Sequence, residues 1–157
     1  MPVNPTPPDY PGVTPYLVMR DASRAIDFYK QAFGATEVMR FDYPDGKVAH
    51  AEVKIGEGVL MLSEEMAEMG FRGPLALGGT PVSLLIYVPN VDEVFDRAIA
   101  AGAESRRPVA DQFYGDRTGT LVDPFGHVWS IATHIKDMSA AQMQKAMQQE
   151  SANNKQG

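Results

Sequence analysis

The sequence of 157 residues contains no cysteine, so it offers no disulfide, no zinc–thiolate site and no cysteine nucleophile. It also lacks a run of about 18 uncharged apolar residues, which a membrane-spanning helix would need. Residues 1–12 have no basic segment followed by an apolar one, so no signal peptide is expected. Together these absences favour a cytoplasmic protein with no membrane as a partner.

Positive charge is in the minority, because 14 Lys and Arg oppose 20 Asp and Glu and leave a net charge of −6. No basic stripe is present to replace the counterions of a phosphate backbone, so nucleic acid is not an expected partner. Hydrophobic residues make up 44% of the chain. That content is enough for a packed core, either in one domain or in two half-modules that share a core.

A strand–helix–strand pattern occurs twice along the chain. In the first copy Asp21 is the expected helix cap and Gly34 ends the helix, while Asn90 and Gly102 hold these places in the second copy. The caps are 69 residues apart (90 − 21) and the glycines 68 apart (102 − 34). Two copies at nearly one period indicate an internal duplication.

Further strands follow each copy, so each module is predicted to run β-α-β-β-β. In the third strand of the first module, alternation puts His50, Glu52 and Lys54 on one face. The same alternation puts Ala49, Ala51, Val53 and Ile55 on the other face. The predicted divisions are a flexible Pro-rich arm (1–12), the first module (13–63), a mobile linker (64–80), the second module (81–134) and a C-terminal helix with a frayed tail after Glu150 (135–157).

The most specific stretches of the two modules are RDASRAIDFYKQAFGA, HAEVKIGEGVLML and VADQFYGDRTGTLVDPFGHVWSIATH. They resemble the vicinal oxygen chelate superfamily, which includes glyoxalase I, bleomycin-resistance proteins and extradiol dioxygenases, and within it the PhnB-like branch. The resemblance covers about residues 13–134. It implies an α+β fold in which the two β-α-β-β-β modules form one cupped mixed sheet. It also implies helices on the convex face, a ligand in the concave face and a homodimer.

The resemblance also implies where a metal would bind, with one ligand on the first and one on the fourth strand of each module. Those positions hold Thr14, Met61, Ser83 and Ser130. None of the four is the imidazole or carboxylate donor that a divalent metal prefers. The sequence therefore predicts no bound metal and no other cofactor.

Strand parity extends this placement to a set of pocket residues. Side chains that share a face with those four positions belong to the concave side, and the alternate ones, Trp129 among them, belong to the core. The predicted ligand-binding residues are Thr14, Tyr16, His50, Glu52, Met61, Ser83, Leu85 and Ser130. A polar-aromatic hairpin consists of Gln112, Phe113, Tyr114, Asp116 and Arg117, and such a hairpin can rim the pocket or brace a dimer. Of these, Phe113, Tyr114 and Arg117 are the predicted rim residues, although Tyr114-Gly115-Asp116 also fits a plain turn. His127 begins the last strand at a turn and His134 ends that strand, so both are expected to be exposed, and the three histidines show no metal-motif spacing. The pairs Glu64-Glu65 and Arg106-Arg107 are expected to be solvated.

Two functions fit this sequence. The first is a metal-free module that binds or sequesters a small organic ligand such as a drug or toxin, as the resemblance to bleomycin-resistance proteins implies. The second is a glyoxalase-type lyase or isomerase, or a dioxygenase, whose metal is held by other groups such as His50, Glu52 and a glutamate of the Glu64-Glu65 pair. The missing metal ligands favour the first function, while the fold supports both.

Overall fold

The computed structural model describes residues 2–155, which form two units, each with its own sheet. The first unit takes in residues up to Pro81 together with the turn 124–127, and the second takes in 82–123 and the chain from 128 onward. In each unit one strand pair is parallel and the other pairs are antiparallel, so both sheets are mixed.

The first unit contains a four-stranded sheet in the order β1-β4-β3-β2. Its elements are β1 (Tyr16–Met19), α1 (Ala22–Phe33), β2 (Thr36–Asp42), β3 (Val48–Ile55), β4 (Gly58–Glu64), a short 3-10 turn (Ala67–Met69) and α2 (Pro74–Leu77). The last two elements lie within residues 64–80, where the sequence predicts a linker.

The second unit repeats this arrangement with the order β5-β8-β7-β6. Its elements are β5 (Ser83–Tyr87), α3 (Val91–Ala100), β6 (Glu104–Asp111), β7 (Asp116–Val122), β8 (Val128–His134) and α4 (Ala140–Asn154). The predicted α+β class and the repeated β-α-β-β-β order are therefore confirmed. The last helix runs past Glu150, where fraying was expected, and ends at Asn154. Among residues 2–155, no helix is long and apolar enough to cross a membrane.

Each sheet buries one face in the core of its unit. Leu60 and Leu62 of β4 are buried, and so is the apolar side of α1. In the second unit Trp129 is 1% exposed and Ile131 is fully buried. The predicted strand parity is therefore correct at these positions, and Trp129 is a core residue.

Helix starts show where local sequence rules succeed and where they fail. Asn90 accepts the backbone N–H of Glu93, and Ser139 forms a reciprocal capping box that opens α4. The prediction that Asp21 caps α1 is wrong, because its side chain makes no capping hydrogen bond. Glu64 instead accepts the backbone N–H groups of Asp21 at 2.9 Å and Ala22 at 2.8 Å. The prediction that Glu64 is a solvated surface residue is wrong for the same reason.

The predicted alternation of β3 fails at its first residues. The register between β2 and β3 shifts where Phe41 pairs with His50 and Asp42 pairs with Val48. This leaves Ala49 as an extra residue, and such a bulge interrupts the two-residue alternation. Val48 is fully buried, whereas Ala49, which was expected on the helix side, lines a surface cavity.

His127 is buried, which corrects the prediction that it is exposed. Its Nε2 lies 3.0 Å from the backbone carbonyl oxygen of Val18, so this N–H donates to the end of β1. The turn 124–127 belongs to the first unit, although its flanking strands β7 and β8 belong to the second. Because His127 and Val18 are far apart in sequence, no local sequence pattern predicts this contact.

Gly115 is expected to tolerate no side chain. Its φ is +98°, and a Cβ there would lie 2.2 Å from the backbone oxygen of Lys136. Replacing Gly115 with alanine should therefore lower the free energy of unfolding by ~2 kcal/mol, through both strain and overlap. Gly46→Ala is the matched control, because φ there is +86° but nothing lies within 4 Å. Chemical denaturation should give a clearly larger loss for Gly115→Ala, and equal losses would contradict the overlap.

Candidate functional site

The face of the first sheet opposite α1 carries several predicted ligand-binding residues. Directly paired residues point to one side of a sheet, and Tyr16 pairs with Met61, Met61 with Glu52, and His50 with Phe41. Tyr16 is 50% exposed, whereas its neighbour Leu17 is buried. We call this the first open face. The register thus brings four predicted residues together on it: Tyr16, His50, Glu52 and Met61.

Three of these residues form a chain of hydrogen bonds. The Tyr16 hydroxyl lies 2.7 Å from His50 Nδ1, and His50 Nε2 lies 3.1 Å from Glu52 Oε1. Tyr10 donates its hydroxyl to the other Glu52 oxygen, and this hydrogen bond raises the pKa of Tyr10. Glu52 is only 4% exposed. Sequence reasoning missed Tyr10, because nothing in the Pro-rich arm identifies which residue meets the sheet.

A cavity of about 280 Å³ borders the first open face. Its walls combine aromatic rings and a thioether with two polar side chains, and they consist of Tyr16, Tyr43, Ala49, Ser63, Glu64, Met66 and Phe71. Of the predicted ligand-binding residues, only Tyr16 is in this lining. Thr14 precedes β1 and is half-buried, and Met61 is half-buried on the sheet beside the cavity.

The second unit has a cavity of about 380 Å³ on the side of its sheet that we call the second open face. Its lining consists of Leu85, Arg107, Gln112, Phe113, Tyr114, Thr118, Thr120, Ser130 and Glu150. Four predicted residues are among them: Leu85 and Ser130 as ligand-binding residues, Phe113 and Tyr114 as rim. Ser83 is exposed on the same strand as Leu85 but is not in the lining.

Several residues of this second cavity were missed from the sequence. Thr120 pairs with Ser130, so parity along β7 could have found it and Thr118. Glu150 comes from α4 and reaches the cavity only because of tertiary packing. The side chain of Arg107 has no ion-pair or hydrogen-bond partner among residues 2–155, so its guanidinium is free to meet a ligand.

The prediction that Arg117 rims the pocket does not hold. Its guanidinium donates to both carboxylate oxygens of Asp92, at 2.8 and 2.9 Å, and to Asp111 at 2.9 Å. These contacts hold the pKa of Arg117 well above its ordinary value and lower the pKa of Asp92. Asp92 lies in the first turn of α3, so Arg117 points to the helix side of the sheet.

A separate polar cluster centres on Asp116, which is 6% exposed. Its carboxylate accepts hydrogen bonds from the Tyr87 hydroxyl and from His134 Nδ1, both at 2.7 Å, and His134 Nε2 donates to Asp137 at 2.8 Å. Burial raises the pKa of Asp116, but the bonds from Tyr87 and His134 outweigh burial and lower it overall. The hydrogen bonds to Asp116 and Asp137 raise the pKa of His134, and Asp116 raises that of Tyr87. His134 is exposed, as predicted, but it is not free.

This cluster should make stability depend on pH. Folding lowers the pKa of Asp116, so this group stabilises the folded state at pH values above its pKa in the unfolded chain, and the stabilisation is lost as the pH falls through its pKa in the folded protein. Folding raises the pKa of His134, so this group stabilises the folded state at pH values below its pKa in the unfolded chain, and the stabilisation is lost as the pH rises through its pKa in the folded protein. Both contributions are therefore fully present between about pH 4 and pH 6.5.

Urea unfolding of wild type and His134→Gln at several pH values measures the histidine's part. The stability difference between the two proteins should be greatest near pH 5.5 and should shrink as the pH rises through the raised pKa of His134. A difference that stays constant up to pH 9 would show that His134 does not act through its charge.

The donor set at the four positions predicted from the resemblance does not fit a divalent metal. Thr14, Met61, Ser83 and Ser130 supply three hydroxyls and a thioether, with no carboxylate or imidazole among them. The alternative metal ligands, His50, Glu52 and a glutamate of the Glu64-Glu65 pair, do not converge either. Glu64 accepts backbone N–H groups at the start of α1. Glu65 accepts the Gly73 N–H at 2.9 Å and pairs with Arg20. Across residues 2–155 no three His, Asp or Glu side chains are grouped so as to hold a metal ion.

Comparison with known proteins decides the family. The model of the glyoxalase/bleomycin resistance protein/dioxygenase superfamily matches residues 13–131. The chain belongs to this superfamily. The resemblance inferred from the three sequence stretches is therefore confirmed.

The similarity to individual known proteins covers most of the chain. An uncharacterised protein of Mycobacterium bovis is 42% identical over 140 residues, covering 87% of this chain and 92% of the relative. The crystal structure of TioX from Micromonospora sp. ML1 is similar with a TM-score of 0.61 and 29% identity, covering 82% of this chain and 99% of TioX. The PhnB protein from Bacillus cereus shares the fold, with a TM-score of 0.63 at 20% identity over 77% of this chain and 98% of its own.

Proposed function

We propose that this protein binds a small organic ligand in the cavity on the second open face. The observation that carries the proposal is the composition of that cavity. Leu85, Phe113 and Tyr114 provide apolar surface, while Thr118, Thr120 and Ser130 place hydroxyls along the sheet. The lining is mostly polar with one apolar section, and a small-molecule site uses both kinds of surface, the apolar part for affinity and the polar groups for orientation.

Charge in the cavity narrows the class of ligand. Arg107 supplies a free guanidinium, and such a group binds carboxylates in a two-pronged geometry. Glu150 lies in the same lining and would hold a basic or hydroxyl group of the ligand. An aromatic or aliphatic acid of modest size fits this arrangement, and sequestration of a drug or toxin is the role that we propose for it.

The metal-dependent alternative has less support. It requires His50, Glu52 and a glutamate of the Glu64-Glu65 pair to converge on one ion. Glu64 and Glu65 already accept hydrogen bonds from backbone N–H groups, and Glu52 accepts from Tyr10 and His50. An ion would have to displace several of these bonds at once.

A simple aromatic acid tests the proposal. Titration with 2-naphthoate, followed by amide and methyl NMR, should shift the signals of Leu85, Phe113 and Tyr114 in a saturable way. Arg107→Gln should weaken 2-naphthoate more than it weakens uncharged 2-acetylnaphthalene. The proposal fails if neither probe perturbs the cavity residues, and the acid class fails if Arg107→Gln affects both probes equally.

We further propose that the protein is a cytoplasmic homodimer. Strand β2 is an edge of the first sheet, and Val38 and Phe41 on it are large, exposed apolar residues. Exposed edges with apolar side chains are usually covered, and a second copy would cover this one. Light scattering at micromolar concentration should give twice the chain mass, and Val38→Lys should shift it toward the monomer. A monomeric wild type would contradict the dimer.

A further inference from the structure

The hydrogen-bond chain on the first open face has the order hydroxyl, imidazole, carboxylate. We propose that Tyr16 is an acid–base group, with His50 as the acceptor of its proton and Glu52 as the residue that positions His50. This goes beyond ligand binding in the second unit and does not depend on it. Proton-transfer sites often combine a reactive group, a base and an orienting group within hydrogen-bond reach of one another.

Glu52 is suited to hold His50 in one orientation. It is almost fully buried, and each of its carboxylate oxygens has a partner, Tyr10 on Oε2 and His50 on Oε1. An ionised carboxylate only accepts, so the ring nitrogen that faces it, Nε2, carries the proton of neutral His50. That assignment leaves the Nδ1 lone pair directed at the Tyr16 hydroxyl, 2.7 Å away.

The proposed step is a balanced proton transfer. The O–H bond of Tyr16 breaks, an N–H bond forms at His50 Nδ1, and the positive charge on the ring faces the Glu52 carboxylate. The Tyr16 phenolate then takes a proton from a ligand, and the reverse steps return a proton to the same or a neighbouring ligand atom. No electrons leave or enter the system.

Surrounding residues keep this group both supported and accessible. Phe41 stacks on the His50 ring with centroids 6.3 Å apart, and the Tyr16 and His50 rings are 5.4 Å apart. Tyr16 is half exposed and lines the 280 Å³ cavity beside Tyr43, Met66 and Phe71. These walls fit a small, mainly apolar ligand with an acidic C–H or O–H group, such as the α-carbon of a carbonyl compound.

Covalent labelling with phenyl fluorosulfate measures whether Tyr16 is activated. The phenolic oxygen of an activated tyrosine attacks sulfur, the O–S bond forms, fluoride leaves, and the phenolic proton goes to His50. Peptide mass spectrometry should show Tyr16 labelled roughly 100-fold faster than the other tyrosines, the scale of general-base assistance. His50→Gln should reduce Tyr16 to their rate.

Tyr87 is the matched control in the same chain. Its exposure is similar to that of Tyr16, but its hydroxyl donates to the Asp116 carboxylate rather than to a neutral base. That hydrogen bond raises the pKa of Tyr87, so Tyr87 should be labelled slowly. Tyr16 and Tyr87 reacting at similar rates would overturn the proposal, as would fast labelling of Tyr16 that persists in His50→Gln.

Testing whether Glu52 positions His50 requires a measurement that does not change merely because a variant is less stable. Nitrogen-15 NMR of the histidine rings should show His50 protonated at Nε2. This measurement uses the wild-type protein, so no loss of stability in a variant affects it. In Glu52→Gln the His50 tautomers should mix and Tyr16 labelling should fall about tenfold, while Glu52→Asp should recover part of the rate. Wild-type His50 protonated at Nδ1 would contradict the proposed direction of proton transfer.

Discussion

Replacing Trp129 with alanine is expected to lower the free energy of unfolding by ~3–5 kcal/mol. The side chain is 1% exposed and is among the largest fully buried side chains in the described chain. Its indole N–H also donates to Asp123 Oδ2 at 2.9 Å, and Asp123 is itself buried. The substitution therefore opens a cavity and removes a donor from a buried carboxylate, and both changes destabilise the folded state.

Trp129→Phe separates these two contributions. Phenylalanine fills most of the cavity but cannot donate to Asp123, so its loss should be clearly smaller than that of the alanine variant. Urea denaturation gives the free energies, and 2-naphthoate titration of the folded variants gives the affinity. If Trp129→Ala abolished binding but left the melting temperature unchanged, the two faces of the second sheet would have been assigned the wrong way round.

Replacing Ser130 with leucine is expected to weaken 2-naphthoate binding by roughly 100-fold, about 2.7 kcal/mol. Ser130 lines the cavity of about 380 Å³ on the second open face, so the larger leucine side chain, whose branched end replaces a hydroxyl, would project into the space the ligand needs. Loss of the 3.4 Å contact with Thr120 is a minor cost, because that bond is long for two hydroxyls. Thermal stability should stay near wild type or rise, since the new side chain leaves the helix-side core intact.

Ser83→Leu is the matched control for this experiment. Ser83 is in β5 of the same sheet but lies outside the cavity lining. The sequence alone predicts that both substitutions fill the pocket, whereas the structure predicts that only Ser130→Leu weakens binding. Titration and thermal melts of the two variants distinguish these expectations. Equal loss in both variants would place the ligand along β5 rather than in the cavity.

The sequence by itself determined the duplication, the order of the elements and the faces of most strands. These follow from short-range rules, because helix caps such as Asn90 and Ser139 and alternation within one strand depend on neighbouring residues. Trp129 was assigned to the core by the same parity. The family was also within reach, since its motifs are continuous stretches of chain.

Tertiary structure decided which polar groups meet. Glu64 replaces Asp21 at the start of α1 because β4 ends beside that helix, more than 40 positions later in sequence. Arg117 does not lie at the predicted pocket rim, because its guanidinium donates three charge-assisted hydrogen bonds to Asp92 and Asp111 on the helix side. Sequence patterns do not encode such pairings, because hydrogen-bond energies depend on distances between atoms that only folding brings together.

The two candidate sites illustrate the same division. Parity placed Tyr16, His50 and Glu52 on one face, yet only the folded chain aligned them into a relay and added Tyr10 from the N-terminal arm. In the second unit, Glu150 of α4 lines the cavity although it lies 20 positions after Ser130 in sequence. A strand's own sequence determines which way its side chains point, whereas the segment that comes to lie over them depends on long-range packing.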